Sequence, residues 1–314
     1  MKFRRFVSHL SPADFVSISF LSFLTALNLI FHTRVTQWPT LVAINLSVIA
    51  LIGVLAWLAE SRKTRLLIGL HRWYCYAIIL FIFKELYLMV HPIHPTDYDS
   101  LFIAVDRWLF GVNPTEWLAQ YAHPLITEIL QIAYFSYYIL FIILGVEIYR
   151  RYAVEKFDKA AFLVVYGFYL SYIGYFSFPG VGPRFTLHDF AAINTELPGI
   201  LVTNLLREIV NLGESIPRNH PNAIEFVQRD VFPSGHTQLT IVAMVLGFRY
   251  KLSTRWLLAV LGALLIIGTV YLRYHYVVDL IAGALLAWLT LWSGDRLEVW
   301  WRSLTQRLRG HPAA

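Results

Sequence analysis

The sequence predicts an all-α, polytopic integral membrane protein, and three observations carry that prediction. Hydrophobic residues make up 57% of the chain and charged residues only 15%, against roughly 25% charged in a soluble domain. Mean hydropathy is +0.56. The apolar residues gather into eight runs near the roughly 20 residues a helix needs to cross a bilayer. Aromatic residues, 16% of the chain with ten Trp and eighteen Tyr, suit a protein with many rings at the membrane interface.

Taken in order, the runs lie at 14–32, 39–59, 73–91, 124–148, 159–178, 235–250, 255–272 and 274–293. The first follows "MKFRRFVSHLSPAD"; it lacks a small-residue cleavage site and is too long for a signal peptide, so it reads as a retained anchor. The sixth and seventh are short. The one cysteine, Cys75, lies inside an apolar run, which excludes an intramolecular disulfide. The net charge of +6 does not point to nucleic acid, because the basic residues are scattered between apolar segments. With a cytoplasmic N-terminus, eighteen of the 26 Lys and Arg fall on the inner side and seven on the outer, with Lys84 inside a helix. Basic connections stay in the cytoplasm, so both termini are expected there. No internal repeat, low-complexity tract or linker interrupts the chain. The expected organisation is an N-terminal tail with two extra helices (1–72), a six-helix core (73–293) with outer loops 92–123 and 179–233, and a basic cytoplasmic tail (294–314).

The first outer loop contains "DYDSLFIAVDRWLFGVNPTEWL", whose Leu101, Val105, Trp108 and Leu109 recur at helical spacing, as in a helix lying in the interface. Asp97 and Asp99 precede it and read as its N-terminal caps. The second outer loop holds the amphipathic "GILVTNLLREIVNL", either another interfacial helix or a lid. Lys84 and Glu85, ionisable groups inside the third run, read as structural partners of other helices.

This topology brings three polar clusters to one membrane face: "SFPGVGPRF" after the fifth run, "FPSGH" opening the sixth and "YHYVVD" opening the eighth. On a helix His275 and Asp279, four apart, share a face. A carboxylate that accepts one ring N–H fixes the imidazole tautomer and leaves the other nitrogen as a nucleophile. Ser234 and Gly235 open a helix, whose free N–H groups favour an anion. His236 adds a second titratable ring, and Arg184 a forked, permanent cation for phosphate oxygens. Singly, each has an ordinary structural reading. Together at one face they are the parts of a metal-free phosphoryl transfer, and no cofactor is implied.

"PSGH" (Pro233 to His236) followed by "HYVVD" (His275 to Asp279) resembles the type 2 phosphatidic acid phosphatase family, which includes the vanadium haloperoxidases. That family's pattern has three motifs: Lys–six residues–Arg–Pro, then Pro–Ser–Gly–His, then Ser–Arg–five residues–His–three residues–Asp. The second is complete here. In the third, the Ser–Arg pair falls on Gly268 and Thr269, with Arg273 four residues further on as a substitute guanidinium. In the first, "FPGVGPRF" offers Pro183–Arg184, and Ser177 occupies the Lys position. The "FP…PR" form, "GTVYL…HYVVDLIAG" and "DRWLFGVNPTEWL" resemble the branch containing inositol phosphorylceramide synthases. The resemblance covers roughly residues 95–285. It implies that His275 attacks phosphorus, Asp279 orients it, and His236 serves as acid and then base. Arg184, Ser234, Gly235 and Arg273 would hold the phosphoryl oxygens. The implied substrate is a phosphate or diphosphate ester of a lipid or polyprenyl carrier, cleaved at the extracytoplasmic face. Lipid headgroup phosphotransfer is the alternative, and a non-enzymatic transporter or scramblase a further one. Nothing in the sequence fixes the oligomeric state.

Overall fold

A computed structural model of the chain describes residues 7–218, 220 and 222–309. The basic residues at positions 2, 4 and 5, and the end of the tail, lie outside the described residues. Those that are described are helical, with no strand among them. The principal helices are α1 (Pro12–Ile30), α2 (Trp38–Arg62), α3 (Arg65–Ile93), α4 (Asp99–Phe110), α5 (Pro114–Ala119), α6 (Pro124–Phe135), α7 (Tyr137–Arg151), α8 (Val154–Ser177), α9 (Thr203–Gly213), α10 (Gly235–Arg249), α11 (Arg255–Tyr271) and α12 (Val277–Leu308). Short turns at Pro183–Thr186, Ile193–Glu196 and Ala223–Phe226 complete the second outer loop.

All eight apolar runs are helical, and they differ in length. Five helices are long and apolar enough to cross a membrane, α1, α2, α3, α8 and α12, or six if the bent pair α6–α7 is one span. The remaining two apolar helices, α10 and α11, have 15 and 17 residues and fall below that length. The expected continuous helix at 124–148 is broken by a 49° bend. At the break the Ser136 hydroxyl donates to the Ala133 carbonyl (2.6 Å), an added bond to the preceding turn of the kind that bends helices. The expected basic tail is largely helix, since α12 continues to Leu308.

The chain forms two compact units. One comprises described residues 7–93, 148–170 and 289–309. In it α1, α2 and α3 pack together, and their apolar faces enclose one polar knot. The Glu85 carboxylate of α3 accepts amide N–H groups from Asn45 on α2 (2.7 Å) and Asn28 on α1 (3.3 Å), all three side chains buried. α1 opens with a capping box: the Ser11 hydroxyl accepts the Asp14 N–H, and the Asp14 carboxylate accepts the Ser11 N–H. The second unit comprises His94–Glu147 and Ser171–Trp288. In it α6 packs on α11 and α9, and α10 on α11.

Carboxylates from distant elements stitch this second unit together by capping helix starts. Glu128 of α6 accepts the N–H groups of Ile200, Leu201 and Val202 (2.7–3.2 Å) and the Thr203 hydroxyl at the start of α9. Glu147 of α7 does the same for Ser253 and Thr254 before α11. Each such cap satisfies otherwise orphaned donors and stabilises the helix start by about 1 kcal/mol.

Candidate active site

The "PSGH" segment starts α10. Ser234, the N-cap, accepts the Thr237 N–H on its hydroxyl (3.2 Å) and donates its own N–H to the Asp279 carbonyl (3.0 Å). Gly235 is required by close approach: a Cβ there would lie 2.6 Å from the Tyr175 hydroxyl. His236 follows in the first turn, held between two rings from either side of the α6–α7 break. Tyr134 stacks on it with centroids 4.7 Å apart, and Tyr137 lies at 4.4 Å.

The second histidine arrives from a loop. α11 ends at Tyr271 and Arg273 turns the chain with a left-handed backbone, φ 69°, a conformation that costs a non-glycine residue about 1 kcal/mol or more. The N–H groups of Tyr274 and His275 then both donate to the Thr269 carbonyl (2.9 and 3.0 Å). Arg273 therefore does not continue the helical face of Thr269, contrary to what its four-residue spacing predicts; the helix has already ended. α12 begins only at Val277, so His275 precedes the helix instead of lying on it. Asp106 of α4 caps that start, accepting the N–H groups of Val277 and Val278 (2.9 and 2.8 Å). One Asp279 oxygen accepts the Tyr276 N–H (2.8 Å) and the Nδ1–H of His275 (3.3 Å). With Nδ1 committed to a carboxylate, Nε2 of His275 carries the lone pair, and it faces His236 Nδ1 at 3.3 Å.

His275 is only 4% exposed. Burial pushes its pKa well below the ordinary imidazole value, and the nearby His236 and Arg184 act in the same direction. The ring is thus held neutral, the form in which Nε2 can attack an electrophile.

Arg184 sits in the loop after α8. Gly182 there has φ 94°, and a Cβ would lie 2.8 Å from the Tyr274 carbonyl. The Asp99 carboxylate fixes this loop, accepting the N–H groups of Val181 (3.0 Å) and Gly182 (2.8 Å) and the Tyr276 hydroxyl (2.8 Å). Asp97 pairs with Arg229 (3.4 Å). α4 has no side-chain cap, so these two acids hold loops together and do not cap that helix. Arg184 donates its backbone N–H to the Arg273 carbonyl (3.0 Å), which ties the first and third motifs to each other. Its guanidinium lies over the Tyr274 ring at 4.8 Å, pairs with Glu214 and donates to Asn211 (3.1 Å). Arg273 pairs with Glu196. A cavity of about 930 Å³ adjoins Arg184 and Tyr274, with Asn194, Arg207 and Asn211 also in its wall.

The structure thus brings His275, Asp279, His236, Ser234 and Gly235 into one cluster. It joins Arg184 and Arg273 to that cluster through the backbone, with their guanidinium groups held by Glu214 and Glu196. Ser177, at the family's Lys position, is exposed and donates to the Ile173 carbonyl of its own helix (3.1 Å). Sequence reasoning missed Tyr134, Tyr137, Asp106, Glu196 and Glu214, and took Asp99 for a helix cap. Asp106 lies inside "DRWLFGVNPTEWL", yet nothing local marks it as the cap of a helix some 170 residues away. Among the described residues no group of three or more His, Cys, Asp or Glu is arranged to hold a metal ion.

Residues 100–293 match the family model of the PAP2 superfamily. No curated protein and no solved structure matches the chain. The matched region spans α4 to the middle of α12 and includes every member of the histidine–arginine cluster. On that match, covering more than half of its length, the chain belongs to the PAP2 superfamily.

Proposed function

We propose that this protein is a membrane lipid phosphoesterase that works through a phosphohistidine on His275. The observation that carries the reading is the His275 ring, with Nδ1 bonded to Asp279 and Nε2 turned to a second imidazole. In the first half-reaction Nε2 attacks phosphorus, the P–O bond to the lipid breaks, and His236, which takes up a proton as the anionic substrate enters, gives that proton to the leaving alkoxide. Asp279 stabilises the imidazolium cation that forms on His275. In the second, His236 takes a proton from water as its oxygen attacks phosphorus, releasing phosphate and restoring the nitrogen. Arg184 and Arg273, with the N–H groups opening α10, are suited to the charge that spreads over the phosphoryl oxygens. The reading needs no metal and no cofactor. The two N-terminal helices would then be additions to a catalytic core at 73–293.

An alcohol in place of water gives a lipid headgroup phosphotransferase of the inositol phosphorylceramide synthase type. The cavity beside Arg184, lined by polar and apolar side chains and with room for an acceptor, favours this second reading. Detergent-purified protein incubated with a panel of lipid and polyprenyl phosphates, with and without alcohols and with excess EDTA, decides between them. Inorganic phosphate marks the phosphatase, and new lipid phosphodiesters mark the transferase. Loss of activity on chelation, restored by magnesium, would sink the metal-independent mechanism.

We further place the site at the extracytoplasmic face. The support is the distribution of Lys and Arg, eighteen against seven when all eight apolar runs cross. With Cys75 removed, a cysteine at exposed Asn194 should react with an impermeant maleimide in intact cells, and one at exposed Thr64 should not. The opposite labelling pattern would move the chemistry to the cytoplasm.

A further inference from the structure

Both arginines of the phosphate clamp are already held by carboxylates, and both carboxylates come from the second outer loop. Glu214 follows α9 and holds buried Arg184; Glu196 ends a short turn and holds buried Arg273. Neither fork is fully used. The Nε–H groups of Arg184 and Arg273 are buried without a hydrogen-bond partner, which is costly unless a further anion completes the site. The histidines are in a matching state. With 3.3 Å between His275 Nε2 and His236 Nδ1, no phosphoryl group fits between nucleophile and acid, so substrate entry must part them.

We propose that Glu214 and Glu196 are gating residues: they occupy the phosphate clamp in the resting protein and yield it to an arriving phosphate anion. The proposal rests on the reading of Arg184 and Arg273 as that clamp. Exchanging a carboxylate for a phosphate keeps each buried cation compensated, so entry never leaves a bare guanidinium in a low-dielectric site. A phosphate brings more acceptor oxygens than one carboxylate and can also take the free Nε–H groups. The loop carrying the gate has a fixed end. Glu128 holds residues 200–203 at the start of α9 through bonds that do not involve the arginines. Beyond this anchor, α9 turns Arg207 and Val210 inward and leaves Leu205, Ile209 and Leu212 exposed, an apolar face suited to a lipid interface. Glu196 lies just before the anchor and Glu214 just after α9, so the gate asks only that the two side chains swing aside while residues 200–203 stay bound.

The test is the affinity of the full chain in detergent for orthovanadate, measured by calorimetry. Glu214→Gln keeps the shape and an acceptor oxygen but removes the competing charge. The expected result is a Kd about tenfold lower, a difference of about 1.4 kcal/mol. Glu196→Gln should move it the same way by less, because the Glu196 side chain is 44% exposed and its charge is screened. Arg184→Ala should lose binding. A weaker or unchanged Kd in both glutamine variants overturns the gate, since residues that merely support the arginines would weaken the site when altered. No vanadate binding by the wild type or either variant would instead overturn the phosphate reading itself, and the gate with it. Should Glu214→Gln not fold, the Kd of Glu196→Gln alone decides, because its exposed position leaves the fold intact.

Discussion

Each of the two units contains a histidine bonded to an aspartate, and the pair with the better hydrogen bond is not the candidate nucleophile. In the unit built on α1–α3, His71 Nε2 lies 2.8 Å from Asp14, which also accepts the Tyr74 hydroxyl (2.6 Å) and the Ser11 N–H (2.7 Å). That carboxylate is saturated, and its role is to knot α1 to α3. In the other unit, His275 lies 3.3 Å from an Asp279 whose second oxygen has no partner. Its free nitrogen faces another imidazole, beside a loop with two arginines. A His–Asp contact is therefore no sign of chemistry in itself. What distinguishes the site is its company: a second imidazole 3.3 Å from the free nitrogen, and two arginines whose buried Nε–H groups have no partner.

Replacing the histidines should break the symmetry most sharply. Loss of the nucleophile in His275→Ala is expected to lower kcat by about 10⁴-fold or more, whereas His71→Ala should keep kcat within a few-fold. The latter should instead lose stability, on the order of 1–3 kcal/mol for a buried carboxylate deprived of a partner. Turnover with short-chain substrate, alongside thermal melts in detergent, checks both. A folded His275→Ala protein with near wild-type turnover would refute the phosphohistidine assignment. Because His275 is buried, the melt is needed to separate lost chemistry from lost fold.

The orienting carboxylates sharpen the contrast with a more modest change. Asp279→Asn no longer fixes the His275 tautomer or supports its positive charge, and should lower kcat by about 10²–10⁴-fold. Asp14→Asn should act on the melt alone. Equal, small effects of the two on kcat would mean that Asp279 is only the cap of α12.

The mildest change is in pH dependence. Since burial lowers the His275 pKa, the ring stays neutral at pH values where a free imidazole is already charged. The acid limb of kcat/KM should accordingly fall below pH 6.5, the ordinary imidazole value. The sign for stability follows from the same shift: the unfolded ring binds its proton more readily, so this group's contribution to stability falls as pH drops through 6.5. An acid limb above that value would contradict a buried, neutral nucleophile.

The fold class, the positions of all eight apolar helices and the family were legible along the chain. These depend on local properties: hydropathy over a run of about 20 residues, and short motifs whose spacing is fixed. The "PSGH" turn could be read as a helix start because its N-cap bonds only three residues ahead. Contacts between distant segments set the rest. The run at 124–148 broke beside two tyrosines that now flank His236. His275 became buried, and the clamp arginines paired with Glu214 and Glu196. Asp106 caps α12 across about 170 residues, and Asp99 holds the Arg184 loop across about 80. A carboxylate destined for a distant backbone N–H looks, in sequence, like any other acid near a helix. Hydrogen bonds between remote segments have no period and no fixed spacing, so only the folded chain reveals which donors each carboxylate must satisfy.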